Sequence, residues 1–317
     1  MNINTLNNAP ERLQECLDLI EKSFGYDYKH SFKEDFSLLI SESNYQNCFF
    51  IEQDNKVTAT VFTLPRILEF QSREVSVLFM GGISVDQDEQ GQGLFRELFE
   101  TVIALNGSYA LFFLWSDLSN LYEKFNFYEF GEISEKESSR SGKTTPLSHE
   151  KFVELKKDYQ SLSQKFVLPK RSEQDWNTLW NTKSIKKETD ENGNILFSDK
   201  GMDLQGIIHE CYPINASNNT KNTMWDFDKN DDESAINRFM GFARLGNLEV
   251  LSQFIKTISN DQIEITSSEQ SILNVKYLDD PYNMSEKDFI QGLWGPGKIE
   301  EWNDIIPKIL IFGFDSI

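Results

Sequence analysis

Hydrophobic residues along the first 135 positions recur with two alternating periods. Leu13, Cys16, Leu17, Ile20 and Phe24 fall on one helical stripe, and Ala9-Pro10 suits the start of that helix. A second helix is predicted over residues 31–41, with Phe32, Phe36, Leu39 and Ile40 on one face. The pattern then turns strand-like. Residues 47–52 and 56–65 read as a hairpin about Gln53-Asp54-Asn55. An apolar strand ending in Gly-Gly-Ile-Ser-Val-Asp follows at 75–86, then a helix beginning after residue 93. The run Ser-Tyr-Ala-Leu-Phe-Phe-Leu-Trp at 108–115 has the length and continuity of a strand buried on both faces. A short helix and a last strand over 127–133 close this half.

Residues 132–150 are polar, with Ser-Ser-Arg-Ser-Gly at 138–142, and read as a linker or exposed loop. Beyond them helical patterns cover 152–168 and 173–182. A strand at 195–198 follows the turn-forming Asp-Glu-Asn-Gly-Asn, and 203–212 pairs with it. A helix is expected over 247–258, and strands over 262–266 and 271–277. The expectation is an α/β (α+β) chain with an N-terminal domain at 1–135, a linker at 136–149 and a C-terminal α+β domain at 150–317. Trp176, Trp180, Trp225, Trp294 and Trp302 are read as core filling rather than as a pocket lining.

The most informative local pattern is Gln90-Gly91-Gln92-Gly93-Leu94-Phe95, between a strand and a helix. The first N–H groups of a helix lack intrahelical partners, and the helix dipole adds positive potential there. Glycines let the backbone take angles closed to other residues and let phosphate oxygens approach the main chain. The loop is therefore suited to a pyrophosphate. A dinucleotide fingerprint is excluded, because Arg96 stands where its third glycine belongs. A nucleotide-triphosphate loop is excluded too, since Leu94 and Phe95 replace its Lys-Ser/Thr pair. Without further support, Gly-x-Gly could equally be a turn opening an amphipathic helix.

This stretch resembles motif A of the GCN5-related N-acetyltransferases, Arg/Gln-x-x-Gly-x-Gly/Ala after a valine-containing strand, with Phe95 in place of the last small residue. Leu121-Tyr122-Glu123-Lys124-Phe125-Asn126-Phe127 resembles motif B of the same family, with Asn126 for the usual glycine. Both residue types tolerate positive φ. Ser116 or Asp117 is expected to cap the short helix that carries motif B. The two motifs stand in the family's order, and the resemblance covers about the first 135 residues.

The resemblance implies a mixed central sheet in which the fourth and fifth strands splay, with acetyl-CoA as co-substrate and no metal. The pantetheine arm would lie along Ile83, Ser84 and Val85, and the pyrophosphate on the amides of Gln90, Gly91, Gln92, Gly93, Leu94 and Phe95. Tyr122 matches the tyrosine that protonates the departing sulfur. A phenol suits that role because it is neutral at physiological pH. The bland alternative for Tyr122 is an aromatic packing its helix on the sheet. No base is assigned: Asp117, a water and the C-terminal carboxylate remain open. The last of these rests on a similarity to the enhanced-intracellular-survival branch, in which the chain terminus reaches the active site. The second half would be a degenerate acetyltransferase-like unit that walls the acceptor pocket or supports a homodimer.

Composition narrows the partners. A formal net charge of −20 disfavours nucleic acid and anionic membranes and permits a small-molecule or side-chain amine. Cys16, Cys48 and Cys211 are scattered and odd in number, and are read as reduced thiols of a cytoplasmic protein. The N-terminus lacks the basic and apolar regions of a signal peptide, and no apolar run reaches spanning length. A catalytically inactive acyl-CoA-binding or regulatory module is the alternative to an enzyme, and a structural or lipid-binding protein the third reading.

Overall fold

The stripe at Leu13, Cys16, Leu17 and Ile20 forms one face of α1 (Leu13–Phe24), which ends at Gly25 in the left-handed region. The computed structural model describes residues 2–137, 142–202, 204–214, 223–226, 236–269, 272–278, 280–297 and 299–316. The helix expected over 31–41 is cut to α2 (Phe32–Asp35). Phe36 leaves helical angles at φ −119°, and its ring packs 4.7 Å from Phe32 while Leu39 and Ile40 turn into the core. Burial of those side chains outweighs local helix propensity.

An antiparallel meander follows, with β1 (Asn2–Thr5), β2 (Cys48–Gln53), β3 (Lys56–Phe70) and β4 (Arg73–Val85). α3 (Leu94–Leu105) crosses over to β5 (Leu111–Leu114), which is parallel to β4. Then come α4 (Ser119–Tyr122) and β6 (Tyr128–Glu137). The strand therefore extends into the expected linker, which also contains the whole of β7 (Thr145–Pro146). Ser138, Ser139, Arg140 and Ser141 of that linker lie outside the described residues.

The later part contains α5 (His149–Leu162), β8 (Leu168–Pro169), α6 (Glu173–Asn181), β9 (Lys186–Thr189), β10 (Ile195–Ser198), β11 (Ile207–Tyr212), β12 (Thr223–Asp226) and β13 (Ile236–Leu245). It closes with α7 (Leu248–Ile258), an antiparallel sheet of β14 (Ile263–Glu269), β15 (Ile272–Tyr277) and β16 (Asp280–Ser285), and α8 (Glu286–Trp294). Ser172 and Asp175 form a capping box at the start of α6.

One large sheet runs through both halves, in the order β1-β2-β3-β4-β5-β13-β6-β12-β11-β10-β9-β7, with β8 on β3. β13 lies antiparallel to both β5 and β6, so the strand that separates them comes from about a hundred residues later in the chain. Residue 135 is thus not an edge of the sheet. One face of the N-terminal half packs on α3 through Val61, Leu78, Met80, Leu98, Phe99 and Phe112; the other packs on α1 and α2 through Phe50 and Phe62. A third, larger core joins β4 and β5 to α5, α6, α7, α8 and the chain's last segment.

That last segment is drawn inward. Val167 bridges Ile309 in parallel, and Leu310, Ile311, Phe312 and Asp315 are buried. Arg171, wholly buried, meets Glu210 at 2.7 and 2.8 Å and Asp315 at 2.7 Å. Arg66 of β3 reaches Asp175 at 2.7 Å and Asp315 at 2.8 Å. Burial lowers the Arg171 pKa, but Asp315 and Glu210 more than offset it, so the net shift is upward. Cys16, Cys48 and Cys211 are buried and unbridged.

Candidate active site

The site is built where two neighbouring strands stop pairing. β4 and β5 are in register from Val77/Leu111 to Met80/Leu114, where β5 ends. β4 continues to Val85, held on its other side by β3 through Thr60/Ser84 and Ala59/Val85. From Gly81 to Val85, the edge of β4 that faces β5 has no strand against it among the described residues. A bulge marks the divergence. Gly82 sits at φ +56°, with its carbonyl accepting from Thr60 Oγ1 at 2.7 Å. The positive φ favours glycine here, and a Cβ on Gly82 would press on the Ile20 side chain at 3.1 Å. Ile83 and Val85 are half-buried; Ser84 is buried, and its hydroxyl has no hydrogen-bond partner among the described residues.

Asp86 anchors the loop that follows. Its carboxylate accepts from Lys56 at 2.6 Å and from the Asp88 amide at 3.0 Å, and these bonds hold its pKa below the usual range. Gly91 and Gly93 lie at φ +82° and +85°, with open space where a Cβ would project. Gly93 is the N-cap of α3 and supplies no side-chain cap. The amides of Gly93, Leu94, Phe95 and Arg96 have no hydrogen-bond partner among the described residues; the Glu97 amide returns to Gly93 O. A row of unpaired N–H groups at a positive helix end is chemically an anion cradle. Arg96, in the first turn, is engaged with Glu100 at 2.9 Å.

Phe95, the departure from the motif, has a structural use. Its ring lies 5.0 Å from Phe99, 5.3 Å from Phe125 and 6.2 Å from Tyr122. It ties the start of α3 to the motif B segment. Leu118, not Ser116 or Asp117, is the N-cap of α4, and it gives no side-chain cap; Ser116 instead accepts from the Leu118 amide at 3.1 Å. The chain leaves β5 through this serine turn, which displaces the helix start by one residue. The segment ends at Asn126, left-handed at φ 60°.

Tyr122 is 5% exposed, enclosed by Phe95, Phe99, Phe127 and Phe242. Burial pushes its phenol up to about 12, only partly offset by a hydrogen bond with the Ser116 side chain. It stays a neutral donor throughout the physiological range. Asp117 is exposed. Ile317, with the chain-end carboxylate, lies outside the described residues.

The structure also brings β13 to the site, which local sequence reading missed. Phe242 stands 6.1 Å from Tyr122, and a Cβ on Gly241 would lie 2.9 Å from Leu114 O. Arg244 donates to Phe125 O at 3.0 Å and pins the end of the motif B segment. The available signal was the apolar run Phe-Met-Gly-Phe-Ala at 239–243, with a small residue where the strands approach most closely. Among the described residues no group of three or more His, Cys, Asp or Glu is placed to hold a metal ion, and no helix is long and apolar enough to cross a membrane.

Comparison with known proteins places this geometry. A family profile for the acetyltransferase (GNAT) domain matches residues 6–131. No curated protein sequence matches the chain significantly. Among solved structures, a probable N-acyltransferase from Enterococcus faecalis superposes with a TM-score of 0.57 at 13% identity, covering 90% of this chain and 85% of its own. Eis1 from Mycobacterium abscessus gives 0.57 at 9% identity with the same coverages. A GCN5-related N-acetyltransferase from Anabaena variabilis gives 0.56 at 13%, again over 90% and 85%. At such identities the likeness is one of fold. It extends over most of the chain, and residues 6–131 are what the acetyltransferase (GNAT) domain model matches.

Proposed function

We propose that this protein is an N-acetyltransferase that moves an acetyl group from acetyl-CoA directly to an amine. The observation that carries this reading is the coincidence of two unsatisfied backbone edges. One is β4 beyond Met80, and the other is the start of α3. The first suits the amide-rich pantetheine arm, with Ile83, Ser84 and Val85 beside it; the second suits the pyrophosphate, on the amides from Gln90 to Phe95.

In the proposed reaction the amine nitrogen attacks the thioester carbonyl, a C–N bond forms and the C–S bond breaks. Tyr122 gives its proton to the leaving sulfur and regains one from solvent, which takes up the proton lost from the amine. A phenol held neutral by burial suits this step, because it donates without first having to be protonated. No side chain is assigned as base. A small molecule or a protein side chain would serve as the amine. Residues 150–317 are proposed as a C-terminal domain that supports the acceptor side, with β13 serving the N-terminal sheet.

A second reading has its own support. The Tyr122 ring is almost fully enclosed and its hydroxyl is engaged with Ser116, as in a structural tyrosine. On that reading the protein binds acyl-CoA without turnover. Calorimetry with acetyl-CoA and a free-thiol assay over a panel of amines decide between them. Saturable binding with amine-dependent thiol release is expected; binding without release supports the second reading, and absence of binding removes both.

A further inference from the structure

A cavity of about 450 Å³ lies at the far end of β4, beside the β3–β4 turn, the segment after α5 and residues 303–308. Arg73 and Gly81 are eight residues apart on β4, roughly 26 Å at about 3.3 Å per residue, so this cavity is separate from the splayed strands. Its volume is in the range of small-ligand sites.

The charge of its lining runs against that of the chain. Arg73, Lys165 and Lys308 face one carboxylate, Asp304, in a protein of net charge −20. Arg73 and Lys165 have no ion-pair or hydrogen-bond partner among the described residues. These cations are not needed to satisfy the nearby C-terminal end of α7. The carbonyls there already accept from backbone, Ile255 from Ser259, Lys256 from Asp261 and Thr257 from Asn260. Phe70, Phe166 and Ile306 add apolar side chains to a lining that is otherwise mainly polar. The rim is held in place: the Gln71 amide donates to Ser163 O at 2.7 Å, and the Val167 amide to Lys308 O at 2.9 Å.

We propose that this cavity binds a metabolite-sized organic anion, with a phosphate or carboxylate head on Arg73 and Lys165 and an apolar part on Phe166 and Ile306. The head draws on two cations without internal partners, and the few apolar side chains of the lining would add contact for an organic anion. The proposal does not depend on the acetyl-transfer reading.

Calorimetry on the full chain at low salt tests it, with phenyl phosphate, benzoate, inorganic phosphate and phenol as probes. Phenyl phosphate or benzoate is expected to bind saturably, and whichever binds more tightly identifies the head group. The charge-reversal pair Arg73→Glu and Lys165→Glu, both on exposed side chains, should weaken that binding tenfold or more while leaving the melting temperature and acetyl-CoA affinity unchanged. The proposal is overturned if neither organic anion binds, if the double variant binds as well as the parent, or if phenol binds equally. Inorganic phosphate binding as tightly as phenyl phosphate would overturn the organic class.

Discussion

The loop from Gln90 to Phe95 and the junction around Arg171 treat polar groups in opposite ways. At the loop, the amides from Gly93 to Arg96 have no hydrogen-bond partner among the described residues, and the glycines are exposed. At the junction, Arg171 is wholly buried yet meets two carboxylates, and Glu210 also accepts from the Tyr212 hydroxyl. Unsatisfied donors are tolerable in the first case because water can solvate them until a ligand arrives. They would be ruinous in the second, where each unpaired charge would bear its full desolvation cost. One region keeps its polar capacity available for binding, and the other consumes it in joining β3, α6, β11 and the last segment of the chain.

The sharpest way to break that contrast is to remove the junction's central cation. Arg171→Met leaves Glu210 without a cation and Asp315 with Arg66 alone, and should cost about 3–5 kcal/mol of stability. Urea unfolding measures this, and a loss below 1 kcal/mol would mean that water already reaches the network. On the other side of the comparison, Tyr122→Phe keeps the aromatic packing and removes only the donor. Turnover should drop roughly 100-fold, as for loss of a general acid, with acetyl-CoA affinity little changed. Equal turnover at all pH values would leave Tyr122 a packing residue.

Acid should act on the junction side. Burial first, then the charge of Lys200, lowers the pKa of His209 to about 3. The unfolded chain takes up this proton near pH 6.5, so between about 6.5 and 3 it holds more protons than the folded chain, and stability falls as pH drops. The slope from this one group approaches about 1.4 kcal/mol per pH unit. His209→Gln should remove that contribution from the urea midpoint between pH 7 and 5, and an unchanged slope would place the sensitivity elsewhere. The smallest effect is expected at Gly93. A Cβ there meets no neighbour, but φ +85° strains a β-branched residue by about 1–2 kcal/mol. If the bound loop needs that angle, Gly93→Val should weaken acetyl-CoA roughly tenfold, measured by calorimetry, with a stability loss of no more than about 1–2 kcal/mol. Unaltered affinity would detach this glycine from the cradle.

Much of the N-terminal fold was legible because its determinants are local. Gly91, Gly93 and Asn126 announced positive φ, and the apolar run at 108–115 announced a buried strand. The helix at Leu248–Ile258 was equally plain from its spacing. The failures share a different cause. The helix over 31–41 was over-read because Leu39 and Ile40 gain more by entering the core than by continuing the turn. β13 went unread since nothing in a short apolar run tells which strands it will join. Arg171, Glu210 and Asp315 gave no signal at all, being 39 and 144 residues apart where they meet.

The amino-acid order alone determined where the backbone must bend, which segments carry an apolar face and which loop can offer free amides to an anion. Those properties depend on backbone sterics and on spacing within a few residues. Only the tertiary structure decided that β13 enters between β5 and β6, that Phe95 becomes a link to Tyr122, and that the last segment is locked onto buried arginines. Such pairings are chosen by burial and charge compensation between segments far apart in the chain, and no local period encodes them.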